Sequence, residues 1–157
     1  MLYRVNGLKD IHTVLSNERK LGGVVEAEFL RLRTGEEYKN IVITGIDTSG
    51  STIYSVSFVT EEGRRYIVHV NDISLISEAA HKHIKQLNNK DYKKWKTEEK
   101  IKFLKKLCEL NEGCFTKTFV CEAMQIIEDI GIDAAREYMD VDLFQDNKVV
   151  QMERLVS

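Results

Sequence analysis

Proline is absent from the 157 residues of this chain, although it makes up about one residue in twenty of an average protein. Helices and strands must therefore stop at Gly, Asn and Asp, and no proline-rich spacer separates parts of the chain. Cysteine is scarce: three occur, at 108, 114 and 121, spaced C-x5-C-x6-C. No two of them form the close pair on which a structural zinc site is built, and three thiols cannot all pair. Free cysteines in a reducing cytoplasm, with no metal and no cofactor, are the expectation. No apolar run approaches the roughly 18–20 residues of a membrane helix. The opening Met1-Leu2-Tyr3-Arg4-Val5-Asn6-Gly7 also lacks the apolar segment of a secretory signal. Also missing are G-x-S-x-G, H-E-x-x-H, the P-loop and G-x-G-x-x-G, which directs the reading away from an enzyme. A small motif-free enzyme is the alternative, with Asp47, His69 and Asp72 as its acid–base candidates.

Charge is present in quantity and unevenly placed. The formal net charge is −2, yet residues 1–78 carry 9 basic and 11 acidic side chains, residues 79–106 carry 10 lysines against 3 acids, and residues 107–157 carry 4 basic against 11 acidic. Near-neutrality hides a dipolar molecule. Richness in Lys, Ile, Asn and Glu points to an AT-rich coding genome, such as a low-GC bacterium or its phage.

Hydrophobic spacing predicts the elements. Leu8, Ile11, Val14 and Leu15 make the apolar stripe of a short helix that ends near Gly22-Gly23. The period then falls to two. Val25, Ala27 and Phe29 alternate with Glu26 and Glu28, which should face water. Further strands are expected over Tyr38–Asp47, Thr52–Thr60, Arg65–Val70 and Ile73–Ile76, separated by turns at Thr34-Gly35, at Asp47–Ser51 and at Glu61-Glu62-Gly63. Near Ser77 the period becomes helical again, with Ala80, Ile84 and Leu87 on one face. A helix capped by Thr97 carries Ile101, Leu104, Leu107 and Cys108. Another carries Phe119 to Ile130 and stops at Gly131, a last short one runs from Ala134 to Met139 with Asp133 as cap, and the apolar tail at 149–156 would dock, as a strand. The fold class expected is α+β: an N-terminal helix plus a five-stranded antiparallel small barrel over residues 1–77, followed by a helical half over 78–157.

The stretch Leu32-Arg33-Thr34-Gly35-Glu36-Glu37-Tyr38, the segment Ile43-Thr44-Gly45-Ile46-Asp47 and the closing Val70-Asn71-Asp72-Ile73-Ser74-Leu75-Ile76 resemble the motifs of the Sm-like small barrels. The Src-homology-like barrels share this plan. The resemblance covers roughly residues 8–76 and implies the barrel. It does not carry RNA recognition with it. Where that family reads RNA with an Asn after the Asp-containing loop, this chain has Ser51-Thr52-Ile53-Tyr54. Where the family has a basic-Gly pair, it has Val70-Asn71-Asp72.

The residues singled out for binding are Lys90, Tyr92, Lys93, Lys94, Trp95, Lys96, Lys100, Lys102, Lys105 and Lys106. Lysines attract phosphate or an acidic protein surface, and aromatic rings among them stack on bases or cover a partner. A solvated helix face with Tyr92 and Trp95 as anchors is the plainer reading of the same residues. Lack of arginine in the block removes the bidentate fork that suits base edges and phosphates. His81 and His83, about 200° apart on a helix, would not chelate one ion. The acidic stretch with Glu122, Glu128, Asp129, Asp133, Glu137, Asp140, Asp142 and Asp146 would pair with the lysine helix, within one chain or across a homodimer formed through the helical half. These residues imply a non-enzymatic binding module for nucleic acid or a host protein. Its protein-binding form is a phage or mobile-element effector that blocks a host factor such as a defence nuclease.

Overall fold

Strand β2 (Val24–Leu32) organises the N-terminal part of the molecule, because it is hydrogen-bonded along both edges. The computed structural model describes residues 3–144, and the chain divides into two compact units between Lys94 and Trp95. In the first unit β1 (Tyr3–Arg4), α1 (Leu8–Ser16) and α2 (Glu18–Leu21) precede β2. Strands β3 (Glu37–Ser49), β4 (Thr52–Val59), β5 (Arg65–His69), β6 (Ile73–Ser77) and β7 (Ala80–Lys82) follow it, with short 3-10 turns over Val70–Asp72 and Ile84–Gln86. One edge of β2 pairs with β3. The other pairs with β7 over Val24–Glu26 and with β6 over Phe29–Leu32. The path β1-β7-β2-β3-β4-β5 is antiparallel throughout.

The architecture is α+β with a seven-stranded sheet, which departs from the expected five-stranded barrel in two ways. Residues Ala80–Lys82, read from the sequence as helical, form strand β7. Spacings of three and four at Ala80, Ile84 and Leu87 also fit a short strand followed by a 3-10 turn when all three positions are buried. The sheet is also not closed. The 3-10 turn at Val70–Asp72 carries the chain from β5 directly to the far edge of β2, so among the described residues β5 pairs with β4 alone. The sheet nevertheless packs on one cluster: Val5, Ile11, Val14, Val25, Ala27, Leu30, Ile41, Ile43, Val56 and Phe58 are buried together. The alternation expected of β2 fails at Glu26, which is 1% exposed. Strand β7 and the residues after it cover the position that the pattern assigned to water.

The second unit contains α3 (Lys90–Leu110) from Trp95 onward, α4 (Lys117–Ile130) and α5 (Ile132–Arg136). The hydroxyl of Thr116 accepts the Phe119 N–H at 3.2 Å and caps α4, and Gly131 ends it at φ 96°. The expected cap on the last helix is absent: α5 starts immediately after Gly131, with no side-chain cap, because Asp133 already lies within its first turn. Phe115, Phe119 and Phe144 pack their rings 5.5–6.1 Å apart. The strand expected at 149–156, and Asp146, lie outside the described residues. Among the described residues no helix is long and apolar enough to cross a membrane.

Candidate functional site

The lysine segment is one helix whose start is set by a buried polar cluster. Glu26 Oε1 accepts from Lys82 Nζ at 2.8 Å and from the Asn88 N–H at 3.1 Å. Its Oε2 accepts from the N–H groups of Asn88 and Asn89 at 3.0 and 2.9 Å. The Asn89 side chain extends the cluster. Its Nδ2 donates to the carbonyls of Asn40 and Thr60, at 3.0 and 3.1 Å, and its Oδ1 accepts the Tyr92 N–H at 3.1 Å. That last bond is an N-cap, so α3 begins at Lys90 and not after Thr97 as expected. Lysines tolerate helix well, and Asn88-Asn89 forms the helix start. A carboxylate on a buried strand facing two consecutive N–H groups 62–63 residues away leaves no periodic trace.

Helix α3 distributes the ten candidate residues over all its sides. Lys90, Lys94, Lys102, Lys105 and Lys106 are exposed, Lys93 and Lys100 half-buried, and Lys96 buried. Tyr92 is buried, whereas Trp95 is 45% exposed. The Lys96 ammonium lies 3.6 Å from a Glu99 oxygen and 5.6 Å from the centre of the Trp95 ring, while Lys105 lies 5.0 Å over the ring of Tyr138. The exposed lysines alternate with exposed Asp91, Glu98, Glu99 and Glu109. The outer surface of the helix is therefore a mixture of both signs, much less positive than the lysine count suggests.

A second feature of α3 is not charge. Ile101 and Leu104 are buried and Leu107 and Cys108 half-buried, which makes the inward stripe. Trp95, Phe103 and Leu110 are 45%, 41% and 76% exposed. With Glu99, Lys102 and Lys106 they fall in a sector about 100° wide on a different side of the helix. Phe103 and Leu110 were not among the expected site residues. Their signal was available as a second apolar stripe at i, i+8 and i+15, hidden by the lysines between them.

Two of the acid–base candidates, Asp47 and His69, make local hydrogen bonds. Asp47 Oδ2 accepts from the Ser55 hydroxyl at 3.1 Å, and His69 Nδ1 accepts the Asn71 N–H at 3.1 Å, which caps a 3-10 turn. His81 belongs to β7, not to a helix. It is wholly buried, with Nε2 2.7 Å from the Gly22 carbonyl oxygen. Since that oxygen only accepts, Nε2 carries the proton. Among the described residues no three of His, Cys, Asp and Glu converge on a point where a metal ion would sit.

The cysteines differ in environment, which gives a direct test. Burial pushes the Cys108 thiol above its ordinary value, while Cys114 and Cys121 are exposed. A raised pKa lowers the thiolate fraction at any pH below it, and the thiolate is the nucleophile. Limited alkylation at pH 8 followed by peptide mapping should therefore label Cys114 and Cys121 well before Cys108, with the order disappearing in denaturant. Labelling of Cys108 first in the native protein would contradict the burial of this helix face.

No family model, no curated protein and no solved structure matches the chain.

Proposed function

We propose that the protein is a recognition module that binds a protein partner through the outward side of α3, with Trp95, Phe103 and Leu110 as apolar contacts and Lys102 and Lys106 beside them. The observation that carries this reading is the second apolar stripe, exposed on a helix that already buries Ile101 and Leu104 on another side. An amphipathic helix laid into an apolar groove presents one exposed apolar side in this way, and its aromatic side chains provide most of the affinity. Flanking lysines suit a groove with an acidic rim, where they speed and orient the encounter more than they tighten it. Blocking a host protein by occupying its surface, as a mobile-element effector would, needs nothing more than this.

Nucleic acid fits the same surface less well. A polyanion favours a continuous positive strip, and Glu98, Glu99 and Glu109 interrupt this one.

A photo-cross-linking residue at position 103, used in lysate of the source cells, would identify the partner. Calorimetry with the purified partner would then measure the contact. The double variant Phe103→Ser, Leu110→Ser should weaken binding about thirtyfold or more. Binding by the unaltered protein should change little with salt. An affinity that falls steeply with salt, or one indifferent to both substitutions, would overturn the proposal.

A further inference from the structure

Strand β5 ends the sheet path and, among the described residues, is paired only with β4. The hairpin joining these strands fixes which of its backbone groups point outward. The Thr60 N–H donates to the Arg64 carbonyl at 2.9 Å, and the β4–β5 register continues from that pair without a shift. Hydrogen-bonded and non-hydrogen-bonded pairs alternate along antiparallel strands. Phe58 and Tyr66, then Val56 and Val68, are therefore the hydrogen-bonded pairs. Ile67, opposite Ser57 between them, turns its N–H and C=O away from β4.

The Ile67 side chain is as poorly covered as its backbone. Tyr66 and Val68 pack against the core cluster, while Ile67 is 75% exposed. Its cross-strand neighbour is Ser57, and the next strand places Gly45 opposite Ser57, so no apolar side chain stands directly opposite it, and the diagonal Val59 is itself buried. Natural edge strands are usually guarded by a proline, an inward charge, a lysine or a bulge. The chain has no proline, the β4–β5 ladder has no bulge, and β5 carries one guard, the exposed Arg65 at its first position, which leaves the centre of the strand at Ile67 without a charge.

We infer that β5 pairs with β5 of a second copy of this chain, antiparallel and centred on Ile67. In that register residue 65 faces residue 69 of the other copy and Ile67 faces its own equivalent, so the exposed isoleucine becomes its own partner. The two outward-facing backbone groups of Ile67 on each copy exchange two hydrogen bonds across the axis, and the two sheets become continuous. A two-fold pairing uses one patch twice and closes, as most homodimers do. The residues used are not those of the α3 stripe, so this inference stands or falls independently of the proposed partner site.

Light scattering coupled to size exclusion, at high micromolar protein, should give twice the 18.1 kDa of one chain. Ile67→Lys and Ile67→Asp should each run as monomers with unchanged circular dichroism. Ile67→Thr, which keeps the β-branch, should fold as well and weaken the dimer. Mixing the Lys and Asp variants should restore a heterodimer roughly tenfold tighter than either alone, because residue 67 faces residue 67 only in this register. A monomeric parent protein, larger species that grow with concentration, or failure of the mixture to associate would each overturn the pairing. So would a dimer that Ile67 variants leave intact and Phe103→Ser dissolves, which would place the contact in the helical half.

Discussion

Replacing Glu26 with alanine should destabilise the first unit by about 3–5 kcal/mol, the range found when one partner of a buried ion pair is removed. The cost has identifiable sources. Lys82, whose side chain is 19% exposed, keeps its charge with no carboxylate beside it. The N–H groups of Asn88 and Asn89 lose their acceptor, and Asn89 is wholly buried. At a few degrees per kcal/mol for a chain of this size, the melting temperature should fall on the order of 10 °C. Glu26→Gln should recover only part of this, because three donors converge on two carboxylate oxygens and the amide offers one oxygen and an NH2. Glu28→Ala, two residues on and exposed, is the control and should stay within about 0.5 kcal/mol. Amide exchange at Asn88 and Asn89 reports the local effect and should accelerate in the Glu26 variants only. If Glu26→Ala proved as mild as Glu28→Ala, the buried cluster would not hold the start of α3.

Gly23→Ala should be comparably severe, for a different reason. Gly23 has φ +72°, and a Cβ there would stand 2.5 Å from the Lys82 carbonyl oxygen and 2.7 Å from His81 Nε2. Neither neighbour can yield cheaply. One is the backbone of β7, and the other is a buried ring bonded to the Gly22 carbonyl. Gly50, at φ +61° with nothing within 4 Å, separates conformational cost from overlap. Gly50→Ala should cost about 1–2 kcal/mol, the left-handed penalty alone. Gly23→Ala should cost on the order of 4 kcal/mol or more, the level at which a single substitution implies a specific steric or cavity cause. Urea denaturation of the two variants side by side decides the matter, and equal penalties would mean that β7 moves aside without cost.

Legibility differed among the elements, and the differences have physical causes. Strands β4 and β5 were clear because each has one face in the core and one outside, so Val56 and Phe58 alternate with serines and Tyr66 and Val68 with Ile67 and His69. The turns around them are also local: Gly50 and Gly63 adopt positive φ wherever the rest of the chain goes. Strand β7 was not legible. It is three residues long and Ala80 and His81 are both buried, so neither alternation nor length identifies it. The start of α3 was missed although its cap is local: Asn89 is a preferred N-cap residue three positions before Tyr92, and only its burial beside Glu26 depends on a strand far away in sequence. The lysines could be counted from the sequence, but their availability could not: Lys96 is buried and Lys102 exposed, although composition treats them alike.

Taken by itself, the sequence determined what depends on neighbours along the chain: the α+β class, the helix after residue 7, the five strands between 24 and 77, the Gly131 helix end, and the opposed charges of its later segments. Backbone conformation and hydrophobic period are local properties, so they survive without a structure. Tertiary structure alone decided which side chains lose water. Glu26 is buried because Lys82, Asn88 and Asn89 close over it, and Gly23 has no room for a Cβ because His81 and Lys82 pass within contact of it. Ile67 and Phe103 stand exposed although both are apolar. Burial is set by whatever arrives from distant parts of the chain, and local periodicity carries no record of it.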